Sequence, residues 1–262
     1  ASWTPTRQEE ASLRRHQHVL ELQRVDAIWP WLADHHGTLT ALDAPHVAHP
    51  ERLSFAELAQ CIATAAAAFR EQGLEAGEVV ALFAENSPRW LVADQGLMRA
   101  GAADAVRGAS APVEELRYIL SDCRATALVV QNAEVWRRLA LTPEQRAPLR
   151  FVLQLEGEPQ DGVMSWDAFL ASGRGRPSVP CDADPEQSRQ AVATVLYTSG
   201  PTGHPKGVMV TNRSLVANSK GIITEGLQLT PGRDRGGSWL PLYPDMGPLG
   251  CVTAPIVYGT KL

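Results

Sequence analysis

The residues best equipped for chemistry lie in Val195-Leu196-Tyr197-Thr198-Ser199-Gly200-Pro201-Thr202-Gly203-His204-Pro205-Lys206-Gly207-Val208-Met209-Val210. Two short apolar runs, rich in β-branched residues, flank a loop of hydroxyls, glycines and one lysine and read as strands. Glycine lets the backbone turn tightly and bring its N–H groups close to an anion. Thr198, Ser199 and Thr202 add hydroxyl donors, and Lys206 adds a mobile positive charge suited to phosphate oxygens. The chemistry written here is the holding of a polyphosphate. It is not that of a Walker A loop, which needs Gly-Lys-Ser/Thr running into a helix, because Lys206 is followed by Gly207 and an apolar run. A polar hairpin between two core strands is the alternative reading, since loops rich in Gly, Ser, Thr and Pro are common.

The segments before this loop alternate between strand and helix signals. Ser54-Phe55-Ala56-Glu57 is a capping box opening an alanine-rich helix that runs to Arg70 and stops near Gly73. An alanine-rich helix packs closely, so it is expected to lie flat on a sheet. Val79–Phe83 is a continuous apolar run, the pattern of a buried parallel strand. Ser87 and Pro88 cap and open a helix ending at Gly101. Further strands are expected at 104–106, 127–130 and 151–153, and helices at 112–122, 135–141 and after Ser165. Residues 173–189 read as a polar surface connection. Beyond the loop, Thr211 caps a helix carrying Leu215, Val216 and Ile222; a turn at 229–232, a strand at 238–240, a helix from Asp245 and a strand from Thr260 follow. This alternation predicts the α/β class, with a mostly parallel sheet covered by helices.

Residues 1–36 are rich in Arg, Glu, Gln and His, with an amphipathic helix expected over 6–24. Six of the seven histidines fall in the first fifty residues, at 16, 18, 35, 36, 46 and 49. No Cys or carboxylate stands at ligand spacing with them, so a solvated surface is the better reading than a metal site. A net charge of −5, without a basic run, argues against nucleic acid as the main partner. Cys61, Cys123, Cys181 and Cys251 are widely spaced, which suits reduced thiols and a cytoplasmic location better than a disulfide framework or structural zinc. The first residues contain no apolar signal segment, and no run approaches a membrane span of about 18 residues, which leaves peripheral membrane contact at most.

Residues 197–207 resemble the phosphate-binding signature of adenylate-forming enzymes, Y-T-S-G-T-T-G-x-P-K-G, at ten of eleven places. That superfamily comprises acyl-CoA synthetases, luciferases and peptide-synthetase adenylation domains. Residues 79–108 resemble long-chain acyl-CoA and acyl-carrier-protein synthetases, and 238–247 resemble the S-W-L-P-L-Y-H-D-M-G stretch of fatty acyl-AMP ligases. The resemblance implies ATP-dependent activation of a fatty or other carboxylic acid to acyl-AMP. Transfer to the thiol of coenzyme A, or of phosphopantetheine on an acyl carrier protein, then follows, with Mg²⁺ assisting. It implies that Thr198, Ser199, Thr202 and Lys206 contact the phosphates and that Gly200, Gly203 and Gly207 shape the loop, with Lys206 and position 244 the candidate catalytic positions. No residue of this stretch is expected to ligate metal.

Four departures from the pattern stand out. Pro201 replaces a threonine and loses a hydroxyl and an N–H donor. Pro244 replaces an active-site histidine, Asn212 replaces a common histidine, and Pro248 stands where leucine is usual. The family's later motifs for adenine, ribose and Mg²⁺, and the lysine of its small C-terminal domain, have no counterpart before Leu262. The resemblance therefore implies a lead-in over 1–50 and the front part of the large domain over 51–262, cut short, with the small C-terminal domain absent and this stretch alone inactive. A phosphate-binding or interaction module of the same fold, without turnover, is the alternative.

Overall fold

The computed structural model describes residues 21–47, 51–158, 160–177, 179, 184–198 and 205–222, together with Arg7 and Gln17. After a 3-10 turn at Val25–Ala27 come α1 (Ile28–His36), β1 (Thr40–Ala44), β2 (Glu51–Ser54), α2 (Phe55–Glu71), β3 (Val79–Phe83) and α3 (Pro88–Arg99). The chain continues through β4 (Ala103–Arg107), α4 (Val113–Asp122), β5 (Ala127–Val130), α5 (Ala133–Leu139), α6 (Pro143–Arg146), β6 (Val152–Gln154), β7 (Met164–Ser165) and α7 (Trp166–Gly173). It then forms α8 (Pro185–Gln190), β8 (Val192–Thr198), β9 (Lys206–Thr211) and α9 (Asn212–Gly221). β1 and β2 make a separate antiparallel pair, and the other seven strands form one sheet in the order β7-β6-β5-β3-β4-β8-β9. Every pairing in that sheet is parallel except β8 with β9.

Side-chain alternation along the strands builds two cores. Val80 and Leu82 of β3 face one side, with residues of α1, α2, α3, α7 and α9. Ala81 and Phe83 face the other, with residues of α4 and α5. Because both faces are covered, β3 and β5 are apolar throughout. The helix signals hold: Ser54 and Glu57 form the reciprocal capping box, and Ser87 accepts from the Trp90 N–H with Pro88 in the first turn. The small residues of α2 admit neighbouring helices on its own face of the sheet. A Cβ on Gly96 of α3 would lie 2.9 Å from Ala65 Cβ, and one on Gly173 of α7 would lie 2.2 Å from the Thr64 carbonyl oxygen.

Several elements are additional to those read in the sequence, among them the short α6 and β7. Helix α1 and the β1–β2 hairpin form in and next to the lead-in, read as helical or irregular without individual elements at these places, and Ile28, Trp29 and Leu32 are buried. Within the stretch read as a connection, Asp184 caps α8 by accepting from the Glu186 and Gln187 N–H groups. The helix over 6–24 lies almost entirely outside the described residues, as do the elements expected beyond 222.

The chain preceding α1 is fastened by buried polar groups. Arg24 Nε donates to Asp26 Oδ1 at 2.8 Å, and the Arg24 guanidinium also donates to the Met98 carbonyl. Trp29 Nε1 donates to Gln95 Oε1 at 2.9 Å, and Gln95 Nε2 donates to Asp94 Oδ2 at 2.8 Å. Beside Asp94 on α3 sits the fully buried Asp104 of β4. Neither Asp104 oxygen meets a donor in hydrogen-bond geometry, so contact between the two carboxyls requires a proton. Burial raises both pKa values, and the Asp94 charge raises that of Asp104 further.

A stability prediction follows from the sign of these shifts. Folded pKa values above the unfolded value of about 3.9 mean that the folded state binds more protons. That contribution is complete below the unfolded pKa and is lost as pH rises through the folded values. Asp104→Asn supplies an amide donor to Asp94 and removes the second carboxyl. It is expected to raise neutral-pH stability by about 1–3 kcal/mol, the usual cost of a buried unsatisfied group. The gain should shrink toward pH 4, as read by thermal unfolding across pH. A shift of the same size at every pH would contradict a shared proton.

Candidate active site

The loop singled out in the sequence is closed by a β-hairpin. Thr198 ends β8, Lys206 begins β9, and the two are direct antiparallel partners, with Tyr197 opposite Gly207. Ser199, Gly200, Pro201, Thr202 and Gly203 lie outside the described residues, as does Pro244. The structure therefore brings Thr198, Lys206 and Gly207 together at the loop's base. Lys206 opens a strand, not a helix, which separates this loop from a Walker A loop. Of the two strands read as core, β8 is buried, whereas β9 exposes Val208 and Met209.

Two side chains fix where the hairpin leaves the sheet. Tyr197 is buried, and its hydroxyl donates to Asp122 Oδ2 at 2.7 Å, at the last turn of α4. Burial first, and that hydrogen bond second, push the phenol pKa well up, so the hydroxyl stays a donor. The Tyr197 ring lies against the opposing strand where Gly207 stands. A Cβ there would come within 3.0 Å of the ring and 3.1 Å of Val195 Cγ1. Gly207 thus shapes the loop's base by leaving room for the ring. Asp122 carries no local signal for this role, because its partner lies 75 residues away.

The hairpin emerges at the carboxyl edge of the parallel strands. Chain order places a switch along the same edge, between β5 and β3: α3 joins β3 to its neighbour β4, and α4 returns past β3 to β5 on the opposite face. Open α/β sheets bind ligands in such crevices. The same edge is tied by polar contacts. The Ser110 N–H donates to Glu85 Oε1 at 3.0 Å, the Glu85 N–H donates to Gln131 Oε1 at 3.3 Å, and Arg107 Nη2 pairs with Glu115 Oε1 at 2.9 Å.

Lys206 is exposed and has no ion-pair partner among the described residues, so its charge is available to an anion at the loop. Among the described residues no group of three or more His, Cys, Asp or Glu is placed to hold a metal ion. The described part of the loop thus offers one exposed lysine charge beside a threonine hydroxyl at the sheet edge, a combination suited to an anion.

Comparison with known proteins bears on the fold and the family. Over 215 residues the chain is 37% identical to a chloroplastic long-chain-fatty-acid–[acyl-carrier-protein] ligase of Arabidopsis thaliana, covering 76% of this chain and 30% of the relative. Over 264 residues it is 26% identical to a human long-chain-fatty-acid–CoA ligase, covering 98% and 40% respectively. The fold matches that of an anthranilate CoA ligase crystallised with anthranoyl-AMP, with a TM-score of 0.78, 23% identity, and 91% and 44% of the two chains covered. It also matches MbtA of Mycobacterium smegmatis, with a TM-score of 0.76, 25% identity, and 99% and 47% covered. In these comparisons the chain spans less than half the length of each relative. The family model for AMP-binding enzymes matches residues 31–262, and the chain belongs to that family.

Proposed function

We propose that this chain carries the phosphate-loop part of an ATP-dependent ligase that activates a fatty acid. The observation that carries the reading is the AMP-binding match over 31–262, with the hairpin-closed loop at the switch edge of its sheet. A carboxylate oxygen of the acid attacks the α-phosphorus of ATP. The bond from that phosphorus to the bridging oxygen breaks, and pyrophosphate leaves with the electron pair. The products are acyl-AMP and pyrophosphate. A thiolate then attacks the acyl carbonyl carbon, and AMP leaves.

In this reading Thr198, Ser199, Thr202 and Lys206 donate to the β- and γ-phosphates, and Gly200, Gly203 and Gly207 let the backbone approach them. Lys206 acts by charge: it favours the pyrophosphate leaving group over the bound triphosphate without exchanging a proton. Tyr197 and Asp122 hold the loop's base. Bound Mg²⁺ would add further neutralisation of phosphate charge. Residues 51–262 are assigned to the large domain, with the phosphate loop at 197–207, and residues 1–50 to its lead-in.

The acyl acceptor is proposed to be coenzyme A or carrier-protein phosphopantetheine. A cytoplasmic location is the proposal that suits Cys61 and Cys123, both unbridged. Among the described residues no helix is long and apolar enough to cross a membrane. The test is product analysis of the full-length protein with ATP and a long-chain fatty acid, adding coenzyme A or phosphopantetheinylated acyl carrier protein in turn. An acyl-thioester with one acceptor is expected. Acyl-AMP that accumulates unchanged with both would remove the thiol-transfer half of the proposal.

A further inference from the structure

The second arm of the phosphate loop stands on weakly covered ground. Among the described residues β9 is the last strand in the sheet order, and β8 is the neighbour that holds it there. Lys206, Gly207, Val208 and Met209 of β9 are all exposed. β8 differs, because its Val195 and Tyr197 belong to the core under α4, with Leu116, Ile119 and Leu120. Backbone pairing sets the register, with Tyr197 opposite Gly207 and Thr198 opposite Lys206. Twist between paired strands still varies widely, so register alone does not fix where Lys206 points.

A carboxylate at the end of α4 supplies what the pairing lacks. Both oxygens of Asp122 are engaged: the Tyr197 hydroxyl donates to Oδ2 at 2.7 Å, and the Tyr118 hydroxyl donates to Oδ1 at 3.4 Å. Tyr118 lies four residues earlier on the same helix face, so the two hydroxyls orient the carboxylate. Asp122 in turn sets the Tyr197 ring. That ring meets β9 at Gly207, where a Cβ would stand 3.0 Å from Cζ and 3.2 Å from the hydroxyl oxygen. A continuous path of contact therefore runs from α4, through carboxylate and ring, to the residue beside Lys206.

We propose that Asp122 is a positioning residue for the phosphate loop: acting through the Tyr197 ring on Gly207, it fixes the angle at which Lys206 meets a bound pyrophosphate group. The inference rests on the reading of this loop as a phosphate site. Groups that bind a ligand must be held to within about 0.5 Å by side chains that are themselves locked by hydrogen bonds. Asp122 is exposed, so water can replace its carboxylate at the Tyr197 hydroxyl and the fold survives its loss. A mobile water does not hold the ring in one place.

Calorimetric titration of the full-length protein with inorganic pyrophosphate tests the role, counting the binding that Lys206→Ala removes. Asp122→Ala, Tyr197→Phe and the double variant are each expected to raise the dissociation constant by the same factor, about three- to tenfold, the value of one hydrogen bond. The two single variants remove one shared bond, so their effects do not add. Asp122→Asn keeps an acceptor oxygen and is expected to restore the affinity to within about twofold. In exchange of pyrophosphate into ATP, Asp122→Ala should raise the KM for pyrophosphate and leave that for the fatty acid unchanged, a split that mere loss of folded protein does not produce. Fatty-acid-dependent exchange missing from the unsubstituted protein would remove the ligase reading and leave the calorimetric test standing. Pyrophosphate binding indifferent to Asp122→Ala, additive effects of the two single variants, or an Asp122→Asn variant as weak as Asp122→Ala would overturn the proposal.

Discussion

Replacing Lys206 with alanine in the full-length protein is expected, under the proposed function, to slow acyl-adenylate formation by about 10²–10³-fold, the usual effect of losing one preorganised charge-stabilising donor. The fold should be indifferent. Lys206 holds its place in β9 through backbone pairing with Thr198, and its side chain is exposed with no ion pair among the described residues. An exposed loop-base substitution of this kind changes stability by roughly 0.5 kcal/mol or less. Steady-state kinetics with varied ATP, alongside a melting curve, separate the two effects. An unchanged rate and ATP dependence would make Lys206 a solvated surface charge.

Restoring histidine at position 244 is expected to speed the same step by one to three orders of magnitude, scaled from the loss of one donor. Pro244 lies outside the described residues. The stretch 238–247 follows the fatty acyl-AMP ligase pattern except at this position, where the pattern has histidine. An imidazole N–H can donate to the reacting carboxylate or to the adenylate phosphate, and proline has no such group. Proline's fixed φ suits a residue just before a helix, so Pro244→His should alter the melting temperature little. Equal adenylation rates for the two versions would show that this position carries none of the chemistry assigned to it.

Both substitutions probe a site that is only partly legible in the sequence. Local signals are plain: the apolar run Val79–Phe83, the Ser54–Glu57 capping box and the Ser87-Pro88 helix start each specify an element within one short window. The phosphate loop is legible for the same reason, since its hydroxyls, glycines and lysine are contiguous. Partnerships across the chain are not. Nothing around Asp122 marks it as the acceptor for Tyr197, and nothing around Asp104 marks it as a buried neighbour of Asp94. Nothing in the sequence marks the charged Arg24 and Asp26 as buried, yet they are buried through pairing with each other and with α3. Helix α1 is obscured by Pro30 and by the surrounding polar residues, and its burial comes from tertiary contact with α2.

The most direct test of the account is exchange of labelled pyrophosphate into ATP by the full-length protein, with and without a long-chain fatty acid. Exchange measures reversal of the adenylation step alone and needs no thiol acceptor. The account predicts label in ATP only when the fatty acid is present, and its loss by about 10²–10³-fold in Lys206→Ala. Exchange that is absent with every carboxylic acid supplied, or that proceeds equally without one, would contradict it.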